Sequence, residues 1–255
     1  YSNGPLYFGS GSIVQSDSYH AGNVWAKGTV TMESGVSISG SVHSGGDIIM
    51  QGTASMGISA YAAGSIQATG TASKIGISAG ANGAINVQNG SGVTQSTVAD
   101  GDIHVSGPLN GWGFNVGGNV ASNHNITVDN NGKIIGNAAA GGTVVTNSGG
   151  TISGTTDQGA TQFTLTLPEI PTLVATNVQY WQNLYKSWAQ SGATIGSTTK
   201  NGYWRPGNTY INGSLELKNG ATLDLGGNST VYVTGTVTIK SGANALFSTS
   251  GCPDA

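Results

Sequence analysis

Apolar positions along this chain return in a fixed phrase, glycine, any residue, a β-branched aliphatic, any residue, then a small or apolar residue. The phrase begins at Gly28, Gly46, Gly64, Gly83, Gly101 and Gly118, with nearly constant spacing. Two residues past each glycine stand Val30, Ile48, Ile66, Ile85, Ile103 and Val120. Four past it stand Met32, Met50, Ala68, Val87, Val105 and Ser122. Alternate residues of a strand face the same side, so both columns point inward, and the residues between them point out: Thr31, Ile49, Gln67, Asn86, His104 and Ala121. A fixed period of this kind marks a solenoid, whose repeats bury their apolar faces only by stacking on one another.

A second side is expected eight residues past the glycine, at Val36, Ala54, Ala72, Leu109 and Ile126, with Val93 serving in a slipped fourth coil. Ile58, Ile77, Phe114 and Val116 are the candidates for a third, less regular side. Three short sides per coil predict an all-β fold, a triangular parallel β-helix with coils of about 18 residues, of either hand. After Gly132 the period weakens, although Gly142-Thr143-Val144, Gly150-Thr151-Ile152 and the alternating run Gln162–Leu167 still look like strands. Pro168 and Pro171 then interrupt, because proline cannot donate to a strand ladder.

Thr176-Asn177-Val178-Gln179 fits a capping box, and Val178, Trp181, Tyr185 and Trp188 follow at helical spacing. The spacing predicts one amphipathic helix over 177–190, its aromatic stripe packed on the flank or end of the solenoid. Strand patterns return at Gly213-Ser214-Leu215-Glu216-Leu217 and Gly235-Thr236-Val237-Thr238-Ile239, at a longer step than in the first repeats. The expected organisation is solenoid coils over 1–160, linker and helix over 161–202, and wider coils of the same solenoid over 203–255.

Composition narrows the function more than it names it. Only 7% of the 255 residues are charged, the formal net charge is −3, and 43 residues are glycine. There is no basic footprint for nucleic acid, and no apolar run reaches the ~20 residues that span a bilayer. The single cysteine, Cys252, cannot form an internal disulfide, and its partner would have to lie in other sequence. A chain that opens directly on strand-like sequence at Tyr1 suggests the product of a longer precursor.

Candidate chemistry is sparse. Asp100, Asp102 and His104 are neighbours, and Asp102 and His104 at i, i+2 could share a strand face as a small metal or acid/base site. Asp47 and Asp102 share a column but lie three coils apart, roughly 14 Å at the usual strand spacing. That is too far for the carboxylate pair of a glycosidase, which stands about 5–9.5 Å apart. His20 and His43 have no motif around them, though His43 could meet Asp47 across a corner. The pairs Thr53/Ser55 and Thr71/Ser73 would give a short outward hydroxyl array of the kind an ice-binding face needs. No cofactor is implied.

The opening Tyr1–Gly9, the Gly-x-Ile repeats, the Leu-Pro-x-Ile-Pro linker and the run Gly207–Leu217 together resemble bacterial PilX-type pilus-assembly proteins. Those are minor-pilin-like envelope proteins with a hydrophobic N-terminal helix, which this chain lacks, and a β-solenoid outer region. The resemblance implies an extracellular or cell-surface protein of the bacterial envelope, pilus-associated or filament-forming, with no catalytic residues to carry over. The expected partners are further copies of itself or pilus subunits, met through residues 1–30 or the C-terminal strands, and surface glycans. Two other readings stand beside it: a carbohydrate-binding or carbohydrate-cleaving β-helix with a groove at Trp25, Trp112 or Trp204, and an ice-binding protein.

Overall fold

The computed structural model describes residues 2, 4–15, 22–109, 111–168, 175–225 and 229–246, without the side chains of 175–181 and 245–246. It divides into two compact units, 1–170 and 171–255. His20 and Cys252 lie outside the described residues.

Unit 1 is the triangular parallel β-helix. Its first face stacks eight parallel strands, and one inward column runs Leu6, Val30, Ile48, Ile66, Ile85, Ile103, Ile126, Val144 in strict register. The second face carries Val14, Ile38, Met56, Ile75 and Val93 in register, and Val93 continues through Val116 to Ile134 and Ile152. The third face stacks eight strands, from Val24–Ala26 through Val42–Ser44, Ala60–Ala62 and onward to Thr156–Gln158. β-Branched residues suit the first two faces because their stiff side chains fill a pleated surface without losing much rotamer freedom. Val30, Ile48, Ile66 and Ile85 have no exposed surface at all.

The structure moves several expected residues. Val120 sits on the third face, paired with Thr97 and Ala138, and Ile126 takes the place after Ile103 in the first-face column. The cause is an insertion after Ser106. The coil step there lengthens to 23 residues, as between Asp102 and Asn125 at the corner. The extra chain forms a loop with Gly107 at φ 92 and Leu109 left 42% exposed. Ala72 is likewise not in the core column. The third coil has 19 residues, as between Ser65 and Ala84 at its corner. The extra one is taken up by Ala72 in a left-handed turn at φ 72, so Ser73 becomes the buried residue. Val36, Ala54 and Val93 are buried as expected.

Ile58 and Ile77 are partly exposed and do not build the third face. Its interior is rich in small residues, with Ala60, Ala62, Ala79, Ala81, Ala99, Ala138 and Ala140 all buried beside Val24, Val42 and Val120. Coils also continue past Gly132 with the regular step restored, Ile126 to Val144 and Ala138 to Thr156.

Unit 2 is a second small parallel stack whose sheets contain no strand of unit 1. The strands Ala193–Lys200, Thr209–Leu217, Val231–Val233 and Val237–Ile239 make one sheet, and Tyr203–Trp204, Thr222–Asp224 and Asn244–Leu246 another. The longer step holds in register between Leu215 and Val237 and between Thr222 and Asn244. Ile211, Leu215, Leu217, Ala221 and Leu223 form its core.

The one described helix, Ala175–Gln190, packs on this sheet and starts before Thr176, so Thr176 is not its cap. Within it Ala189 is fully buried, and the Lys186 Nζ stands 5.7 Å from the centre of the Tyr210 ring. Tyr185 and Trp188 are 44% and 42% exposed and touch each other edge to face at 5.4 Å, rather than filling a core. The side chains of Val178 and Trp181, the other half of the expected stripe, lie outside the described residues. No described helix is long and apolar enough to cross a membrane.

Candidate functional site

The outer surface of the third face is where chemistry gathers. Its outward column starts with Trp25, His43 and Tyr61, in register on consecutive coils. The Trp25 and His43 rings stack at 3.6 Å with 10° between their planes, and Tyr61 follows His43 at 5.1 Å. Register brings these rings together, because in-register side chains on adjacent parallel strands stand about one ladder step apart. The column then loses its bulk at Gly80, and Val98, Ala121 and Ala139 follow.

The segment 161–168 fills that gap. It is extended but pairs with no described strand, so the alternation of Gln162–Leu167 marks a strap rather than another rung. Phe163, Leu165 and Leu167 are half-buried while Gln162, Thr164 and Thr166 are exposed. A Cβ on Gly80 would lie 3.2 Å from Tyr61 and 3.4 Å from Leu167, so the absent side chain leaves room for the strap. Asn123 fastens the strap at its other end. Its amide donates to the Phe163 carbonyl at 2.7 Å and its carbonyl oxygen accepts the Phe163 N–H at 2.9 Å, as a neighbouring strand would. The same amide also donates to Asp100 at 2.7 Å.

Two adjoining cavities lie along the strap. One, of about 280 Å³, is lined by His43, Ser44, Tyr61, Asn82 and Leu167. The other, of about 480 Å³, is lined by Asn82, Asp100, Asn123, Gln162 and Phe163. His43 is only 6% exposed, and its Nδ1 has no hydrogen-bond partner. Burial disfavours the imidazolium and pushes the His43 pKa down to about 4, so the ring is neutral at pH 7.

The strap gives a direct prediction. Asn123→Ala removes both bonds to Phe163, each worth about 1 kcal/mol, while leaving the coil stack in place. Chymotryptic cleavage at Phe163 is expected to quicken roughly thirtyfold, since local opening sets protease access. Cleavage at the wild-type rate would show that Asn123 does not hold the strap.

The residues singled out from sequence are not brought together. Asp102 is a corner residue whose Oδ1 accepts from the Asn125 backbone N–H at 2.9 Å and from its amide at 3.1 Å. Asp47 does the same for the Ser65 N–H at 2.7 Å, so both carboxylates satisfy the backbone of the next coil. His104 turns away from Asp102. Its ring meets Gln88 at 2.9 Å and Asp129 at 3.0 Å, the latter from the coil after its own. His43 meets Trp25 and Tyr61, not Asp47. No described group of three His, Cys, Asp or Glu side chains could hold a metal ion.

The hydroxyl array breaks as well. Thr53 is exposed and Ser55 half-buried, and Thr71 is exposed, but Ser73 is fully buried and donates to the Gly52 carbonyl at 3.0 Å. Lys74 stands next to Ser55 in register instead. Trp112 lies at the inserted loop, 5.9 Å from Phe114 and under Lys74, and Trp204 lies under Lys200 at 4.7 Å.

The Trp25–His43–Tyr61 column escaped the sequence reading although its regular spacing was present, because the three residues differ in type. No family model, no curated protein and no solved structure matches this chain.

Proposed function

We propose that the chain is a structural module of the bacterial cell surface, a rigid spacer that holds or builds a filament and is not an enzyme. The observation that carries this reading is the unbroken inward column of unit 1, in strict register across eight coils. Each coil is held by its neighbours through parallel ladders and a dry apolar stripe, and such stacks resist bending. The carboxylates of Asp47 and Asp102 are used to close corners, which supports a structural rather than a catalytic use. The pilus association rests on the sequence resemblance alone.

The test is immunolabelling of intact native cells and of filaments sheared from them, with an antibody raised against the folded chain. Labelled surface filaments, with reduced filament yield on deletion, are the expected result. Absence of label at the surface would overturn the localisation. Turnover of any polysaccharide in a broad panel, abolished by Asp129→Asn, would overturn the non-enzymatic reading.

A further inference from the structure

Beyond any role as a spacer, the third-face groove has the makings of a ligand site. We propose that it binds a neutral oligosaccharide.

Three observations converge on that class. The first is shape. Two adjoining cavities of about 280 and 480 Å³ share Asn82, giving an elongated groove along the strap, and ligand sites are usually concavities of about 300–1,000 Å³. The second is the arrangement of polar groups. Asn82, Asp100 and Asn123 follow Ala81, Ala99 and Ser122, which are in register on consecutive coils. They therefore recur at the strand spacing of about 4.8 Å. Gln162 of the strap joins them at the cavity wall. Planar amides and a carboxylate offer donors and acceptors to hydroxyl groups. The described lining contains no lysine or arginine, which disfavours anionic ligands. It holds a single carboxylate, Asp100, too few for a divalent cation that takes six or more oxygens.

The third observation is at the aromatic end. His43 is more than nine-tenths buried and neutral, and it borders the smaller cavity. Tyr61 and Leu167 supply apolar wall beside it, suited to the C–H face of a sugar ring.

The experiment is calorimetric titration of the whole chain with maltotriose, cellotriose and chitotriose. Saturable binding of at least one trisaccharide is expected. Asn82 is exposed and belongs to both cavities, so Asn82→Ala should leave the thermal midpoint unchanged and weaken binding at least tenfold. His104→Gln, on the first face, should leave affinity unchanged. No binding by any of the three sugars up to about 10 mM, on the order of the weakest affinities worth a site, overturns the proposal. So does equal binding by the folded Asn82→Ala protein, or an equal loss in His104→Gln. Because the readout is binding alone, its failure leaves the filament role standing, and failure at the cell surface leaves this site standing.

Discussion

Ile66→Asp should unfold unit 1. Ile66 has no exposed surface and stands in register between Ile48 and Ile85 at the middle of the inward column. A carboxylate there would have apolar neighbours above and below and no partner to pair with, and burying an uncompensated charge costs more than a marginally stable unit can absorb. Native domains carry only about 5–15 kcal/mol of stability. Two controls isolate the position. Ile66→Val removes one methylene and should cost about 0.5–1.5 kcal/mol. Gln67→Asp, one residue along the same strand but on the outward face, should fall within about 0.5 kcal/mol of wild type. Circular dichroism and denaturant unfolding read all three. A folded Ile66→Asp protein with an unchanged midpoint would mean that Ile66 does not face inward.

The same contrast explains what the sequence could reveal. Ile48, Ile66, Ile85 and Ile103 were legible because a large β-branched residue recurs where each coil must fill the same space. The rung after Ile103 is hard to place from sequence because corners leading to the third face also carry glycine, as at Gly40, Gly57, Gly76 and Gly118, while Ile126 follows a corner, Asn123-His124-Asn125, that has none. The insertion after Ser106 brings the Gly118 phrase of the third face to the spacing expected of the first face. The third face was hardly visible. Its interior of Ala60, Ala79, Ala81 and Ala99 is shallow, and alanine carries no strand signature. Ser44 and Ser122 also sit inside, where their hydroxyls donate to the Gly28 and Gly101 carbonyls at 2.8 Å. The alternation of Gln162–Leu167 suggests another strand, but the segment pairs with no described strand and is attached by Asn123 to Phe163 across 40 residues. Nothing local encodes that contact. Asp102 and His104 drew notice as neighbours, yet the corner directs one toward Asn125 and the ladder sets the other beside Asp129. In a solenoid the effective neighbour of a residue is one coil away, so proximity along the chain is a poor guide to a site.

The groove has a measurable acid sensitivity that follows from its buried histidine. His43 titrates at about 4 in the folded chain, against 6.5 for an ordinary histidine. The unfolded chain therefore takes up the proton more readily, and stability rises with pH between those two values and is level above them. Each pH step of one between them is worth about 1.4 kcal/mol, so unit 1 should lose roughly 2–3 kcal/mol through this group on going from neutral pH to about pH 4.5. Glu33 adds a contribution of the same sign at lower pH. The Tyr7 hydroxyl, with Ser10 behind it, holds its carboxyl below the usual range, so its stabilisation is lost as the carboxylate is protonated. His43→Phe separates the two. A phenyl ring keeps the stack between Trp25 and Tyr61, removes the unpartnered Nδ1 and has no charge to take up. The variant should match or exceed wild type at neutral pH and pull ahead by about 2–3 kcal/mol at about pH 4.5, with the gap opening only below about pH 6.5. Denaturant midpoints measured across that range decide it. Parallel profiles for the two proteins would place the His43 imidazole in water rather than under the ladder.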